Sequence, residues 1–222
     1  MPIKTNEREY RNMIIRALSD NEIAEEDKRL VSGYASTFDE PYLLFEWDGL
    51  KYYEVIDRGA FDNTDMSDVI MQYDHRGRVF ARTRNNTLEV VPDDQGLFLK
   101  ADLGGTEIGR ELYDEIRGGY TDKMSFGFTV NGEYEESVKT DEGVRIYTRH
   151  ITSVAKLYDV SAVSIPANDG TSIEADATTR SISNLTDGVI ERIKAELLEE
   201  ERISLERLRV ETKAKALFGG TN

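Results

Sequence analysis

The chain holds two histidines, His75 and His150, and no cysteine among its 222 residues. That excludes a thiolate nucleophile, a disulfide framework and any cysteine-held zinc or iron–sulfur site. A histidine-rich metal centre would need more imidazoles than the chain supplies. The covalent chemistry left is a serine or threonine hydroxyl activated by a histidine, with a third group to hold the imidazole's tautomer. His75 follows the apolar run Val69 to Tyr73 and precedes Arg76, Gly77 and Arg78, where a strand opens into a loop. Functional side chains gather at such places, although an exposed turn histidine has the same surroundings. Ser125 sits in Met124–Ser125–Phe126–Gly127–Phe128, a small hydroxyl among bulky apolar neighbours at a strand start. A serine there serves equally to bond a free backbone group. Asp159 interrupts the apolar run Leu157 to Val163, and a carboxylate in a buried strand is costly unless paired. A histidine, an arginine or a backbone turn would each satisfy it, and His150, earlier on the same stretch, competes for the role. A carboxylate-only magnesium or calcium site stays open, but no stretch has the spacing of a calcium loop or a P-loop.

The elements that must position these residues are mostly strands. From about residue 13 to 166 short apolar alternations are broken by Gly, Asn and Asp, the pattern of an antiparallel sheet or barrel. Strands are expected at Met13 to Leu18, Arg29 to Thr37, Lys51 to Ile56, Val69 to Tyr73, Thr87 to Val91, Leu97 to Leu103, Ser125 to Tyr134 and Val144 to Ile165. Asp93 to Gly96 reads as a hairpin link in which Gly96 takes a positive φ, and Asp141 to Gly143 reads the same way. One helix is expected at 107 to 117: Thr106 caps it, Ile108, Leu112 and Ile116 recur every four residues, and Gly118 ends it. After Pro166 the composition turns to Ser, Thr, Asp, Asn and Gly, an exposed linker over 171–186. From 187 to 218 Ile190, Ile193, Leu197, Leu198, Leu205 and Leu208 recur among charges of both signs. That predicts a long exposed helix whose heptad phase slips near Glu199 to Glu201, hence not a coiled coil.

Lys and Arg total 28 against 43 Asp and Glu, a net charge of −15. The field repels phosphate backbones, so nucleic acid is not the expected partner. Residues 191 to 215 carry seven acidic and seven basic side chains, so the excess belongs to the β-rich part. No apolar run approaches the roughly 18 residues of a membrane-spanning helix, and the polar start lacks a signal-peptide core. The expectation is a soluble intracellular protein with no membrane contact.

Several marks occur together in one order: Gly59–Ala60–Phe61; the histidine ending Val69 to His75; Gly96–Leu97; Met124 to Phe128; and Asp159–Val160–Ser161 leading to Pro166–Ala167–Asn168. In these the chain resembles the prohead maturation proteases of tailed bacteriophages, a family related in fold to the herpesvirus assemblin serine proteases. The resemblance covers roughly residues 13 to 170. It implies a mainly β fold of the α+β class, an antiparallel β-barrel of the assemblin type with a few flanking helices, in a protease domain at 11–170. It implies Ser125 as nucleophile, His75 as general base and then acid, and Asp159 as the orienting acid. Asp159 stands where this family usually has a glutamate before Val-Ser. Assemblins use a second histidine in that role, which keeps His150 as the alternative. Backbone amides of Ser164 to Asn168 would form the oxyanion hole. The implied substrate is the scaffolding segment of the major capsid protein, or a separate scaffold protein, with self-cleavage, inside the prohead in the host cytoplasm. No cofactor and no metal are implied, and a homodimer is left open, as assemblins pair. A noncatalytic assembly factor with the same fold is the rival reading, and a carboxylate metal hydrolase a second.

Overall fold

The computed structural model describes residues 8–17, 29–140, 143–163 and 177–218. Ten strands run in chain order: β1 (Glu9–Ala17), β2 (Leu30–Thr37), β3 (Tyr42–Trp47), β4 (Leu50–Ile56), β5 (Ile70–Tyr73), β6 (Arg76–Arg82), β7 (Leu88–Pro92), β8 (Gly96–Asp102), β9 (Lys123–Lys139) and β10 (Arg145–Val163). Helix α1 (Glu107–Arg117) precedes β9, and α2 (Ala177–Phe218) follows β10. The strands pair in the order β3-β4-β10-β9-β1-β2-β8-β7, with β5 on β10 and β6 on β5. The end strands β3 and β7 do not pair with each other among the described residues, so closure into the implied barrel is not seen. The sheet is nevertheless strongly curled. Arg11 on β1 reaches Glu54 on β4, Nε to Oε1 at 2.5 Å, although three strand spacings, about 14 Å, would separate those backbones in a flat sheet.

The long hairpin β9–β10 is the spine. Gly143, at φ +85°, turns it, its N–H donating to the Thr140 carbonyl. β10 is long enough to change partners: Arg145–Ile151 run parallel to β4, and Asp159–Ala162 run parallel to β5. Opposite residues of a pair share a face, so Met124, Phe126 and Phe128 on β9 lie with Ala162, Val160 and Leu157 on one side. All six are buried, together with Leu112, Tyr113 and Ile116 of α1 and Leu97 and Leu99 of β8. Burying a side chain the size of Phe126 contributes about 2–3 kcal/mol.

Helix α1 spans the expected residues, and Gly109 N–H donates to the Thr106 hydroxyl at 3.1 Å as its cap. Its left-handed terminal residue is Gly119 (φ +73°) rather than Gly118, which stays right-handed at φ −77°. Gly96 also differs from expectation, since it does not take a positive φ. A Cβ there would stand 1.9 Å from the Ser36 carbonyl oxygen, so close approach of β8 to β2 is what excludes a side chain. Strands β3 and β6 and the first four residues of β1 were not expected. Helix α2 begins at Ala177, ten residues before the expected start, and the earlier part of the linker lies outside the described residues. Residues up to Ile182 form one compact unit and those from Ser183 a second.

Candidate active site

Parallel pairing of β5 with the end of β10 brings His75 to Asp159. Tyr73 and Arg76 pair across the β5–β6 hairpin, leaving Asp74 and His75 as a two-residue turn, with φ of +48° and +55°. Positive φ at both central positions is the signature of the hairpin turn whose twist matches its strands. Glycine and asparagine are the usual occupants, and a histidine there is held at a cost of roughly 1–3 kcal/mol. Two bonds hold it. Asp74 N–H donates to the Ala162 carbonyl at 2.9 Å, and His75 Nδ1 hydrogen-bonds Asp159 Oδ1. Both side chains are buried, at 0% and 1% exposure. A carboxylate oxygen only accepts, so Nδ1 carries the proton and Nε2 is the nitrogen left to act as a base.

On the face of the β9–β10 hairpin opposite the core, Asp159 lies across from Gly127, and Ser161 across from Ser125. Gly127 adds no side chain on that face. Ser161 Oγ donates to the same Asp159 Oδ1 at 2.8 Å. Antiparallel partners stand about 4.5–5.5 Å apart at Cα, so Ser125 is the immediate neighbour of the serine that holds Asp159. Ser125 is fully buried, and β1 flanks it, Asn12 being its partner on the other side. At the start of β1 the Arg8 guanidinium lies 3.5 Å from Asp159 Oδ2 and 3.8 Å from the centroid of the Tyr158 ring.

His150 goes elsewhere. Its Nδ1 pairs with Asp57 Oδ1 at 2.8 Å and its ring stacks on Tyr134, centroids 4.4 Å apart. It precedes Asp159 by nine strand residues, on the order of 30 Å along β10. Ser164 to Asn168, the expected oxyanion segment, lie outside the described residues. Ser161 and Arg8 were not singled out from the sequence. The Asp-x-Ser spacing, which puts both side chains on one strand face, was a usable signal for Ser161; nothing local marks Arg8.

A second polar cluster packs on the core face. Arg11 bonds Glu9 and Glu54, each at 2.7 Å through Nη2, and Arg149 bonds Glu9 at 2.6 Å, Glu54 at 2.9 Å and Glu133 at 2.6 Å. Tyr42 donates to Glu54. Burial pushes the Glu9 carboxyl up, but the Arg149 hydrogen bond and the Arg11 charge outweigh it and hold it at about 2. Burial raises the Tyr42 hydroxyl well above its usual range, and the Glu54 charge adds to this. Tyr42 is therefore a neutral donor. The cluster ties β1, β3, β4, β9 and β10 together by charge. Among the described residues no group of acids and histidines is arranged to hold a metal.

The family model for the Caudovirus prohead serine protease matches residues 16–187. The chain belongs to this family. No curated protein and no solved structure matches it. As a prohead serine protease it is a serine peptidase with a role in capsid maturation, acting within the procapsid in the host cell on a capsid or scaffold protein. Among its described residues no helix is long and apolar enough to cross a membrane.

Proposed function

We propose that this prohead protease cuts peptide bonds through an acyl-enzyme in which Ser125 is the nucleophile, His75 the base and Asp159 the group that orients it. The supporting observation is the buried bond from His75 Nδ1 to Asp159 Oδ1. It fixes the tautomer that leaves Nε2 basic, and it stabilises the imidazolium formed when Nε2 takes the Ser125 proton. The Ser125 oxygen attacks the scissile carbonyl; His75 then gives its proton to the departing amine. Water, deprotonated by the same Nε2, attacks the ester and regenerates the serine. Arg8 opposite Oδ2 and the Ser161 hydroxyl on Oδ1 hold Asp159 in its orientation. Because Ser125 is buried, prompt labelling of the resting protein by a bulky serine reagent is not expected.

The substrate proposed is the scaffolding segment of the capsid protein or a separate scaffold, with the protease itself as a further target. The test is the purified full chain with the matching capsid protein, comparing Ser125→Ala, His75→Gln and intact protein by intact mass. Cutting by the intact chain alone supports the assignment. Equal cutting by Ser125→Ala removes Ser125 as nucleophile, and a capsid protein left whole by every form favours an assembly factor that does not cut.

A further inference from the structure

Lys123 is an exposed cation on the active-site face of β9. Met124, Phe126 and Phe128 point into the core, so by the two-residue period of a strand Lys123 and Ser125 share the opposite face, about 7 Å apart along β9. No bulge interrupts the register there: Ser125 lies across from Ser161 and Lys123 from Val163 on β10, as they lie across from Asn12 and Ile14 on β1. Register partners share a face, and neither Val163 nor Ile14 carries a charge to set against Lys123. Where Ser125 is buried, the Lys123 side chain is 36% exposed. Among the described residues its ion pair is with Asp122, the adjacent position, whose carboxylate is 3.9 Å away and 63% exposed. So long and solvated a pair holds the ammonium weakly. Arg8, a second cation on this face, is already engaged, its guanidinium 3.5 Å from Asp159 Oδ2 and stacked on Tyr158. Lys123, on a flexible four-carbon stem, is left to meet a charge from outside the chain.

We infer that Lys123 is a specificity-determining residue: it holds an acidic side chain of the substrate, aspartate or glutamate, within two positions of the scissile bond. The inference rests on the proposed role of Ser125, because the strand period ties Lys123 to that residue. Distance sets the position. An extended peptide advances about 3.3 Å per residue, so a carboxylate that reaches an ammonium two strand positions from Ser125 belongs to a residue one or two removed from the bond that Ser125 attacks. Charge sets the type. The chain carries a net −15, whose field repels an acidic peptide, and a cation beside the reacting serine gives such a peptide one place where its charge is attracted. Asp122 competes for the ammonium only across 3.9 Å, whereas a substrate carboxylate can close to hydrogen-bond distance. A basic side chain in the same place would meet like charge.

The test uses the full chain and a library of randomised synthetic peptides, with cut products read by mass spectrometry, then a matched pair of peptides that differ only by Glu or Gln at the preferred position. The intact chain is expected to enrich Asp and Glu at one position within two residues of the cut. It should cut the Glu peptide with a kcat/KM roughly fivefold above that of the Gln peptide, as suits a solvent-exposed ion pair. Lys123→Gln should bring that ratio to about one, Lys123→Glu should turn it in favour of Gln, and Lys123→Arg should keep it. A residue that merely supports the strand would change both peptides alike and leave the ratio where it was. Raising salt to about 1 M should also draw the intact chain's ratio toward one, a reading that needs no variant to fold. Cutting by the intact chain without an acidic preference, a ratio that survives in folded Lys123→Gln, or a ratio indifferent to salt overturns this inference alone. No cutting of any peptide or of the capsid protein by the intact chain overturns the hydrolytic reading and this inference with it.

Discussion

Asp159 is the residue on which the site turns. Its Oδ1 receives both His75 Nδ1 and Ser161 Oγ, so its replacement by asparagine presents an amide N–H where an acceptor is needed and favours the wrong imidazole tautomer. Asp159→Asn should lower kcat by roughly 10³–10⁴ with KM nearly unchanged, measured on the capsid protein or on a cleaved peptide. Ser161→Ala removes one of two bonds to that oxygen and leaves His75 in place, so a loss of less than about tenfold is expected in the same assay. His75 and Asp159 were legible in the sequence because a histidine at a strand exit and a carboxylate inside an apolar strand are each out of place alone. That they meet was implied by the resemblance and not by the residue pattern itself: it depends on β5 running parallel to Asp159–Ala162 of β10, a pairing between segments 89 positions apart in register, such as Ile70 and Asp159. That His150 pairs with Asp57 through its Nδ1 was not legible either, because the partner lies 93 positions earlier.

Among the elements, the curled sheet depends on a buried charge cluster that ties β1, β3, β4, β9 and β10. Glu9 is ordinarily protonated near 4.5 and is held at about 2 in the fold. A depressed folded value means its stabilisation is complete above about 4.5 and is lost as pH falls toward 2. The loss is on the order of 3 kcal/mol, read as a falling urea midpoint across that window; a flat midpoint would contradict it. Arg149→Met leaves three buried carboxylates to share Arg11, and should cost about 3–5 kcal/mol in urea denaturation. Gly96→Ala should also destabilise, because the added carbon meets the Ser36 carbonyl at 1.9 Å and the backbones must part. Most strands were visible as alternation, and the two missed ones show where that signal fails. In β3 the bulge between Leu43 and Phe45 breaks the two-residue period, and β6 is a basic strand paired on one side, with Arg76 to Val79 exposed. The early strand residues Glu9 and Arg11 read as polar surface because their burial depends on partners from β4 and β10.

At the scale of the whole molecule, the chain divides near Ile182, and α2 carries exposed Leu198, Leu205, Leu208 and Val210 along its later turns. Its start at Ala177 was masked by serines and threonines, although sequence positions 182, 185, 189 and 193 carry the apolar spacing of a helix back through that stretch. Intrahelical pairs such as Arg202 with Glu199 and Arg192 with Glu196 support the helix by a few tenths of a kcal/mol each, leaving the apolar side chains to a partner. We propose that α2 docks on scaffold helices and places the protease within the assembling shell. A chain ending near residue 175 should then fall several-fold in procapsid incorporation, and incorporation at the normal level would refute the docking role. The central claim is that Ser125, next to the buried His75–Asp159 pair, does the cutting. Its most direct test is to coexpress the matching capsid protein with the intact chain or with Ser125→Ala and weigh the capsid protein by intact mass spectrometry. Discrete truncation with the intact chain and none with Ser125→Ala is the predicted result; the same truncation with both would contradict it.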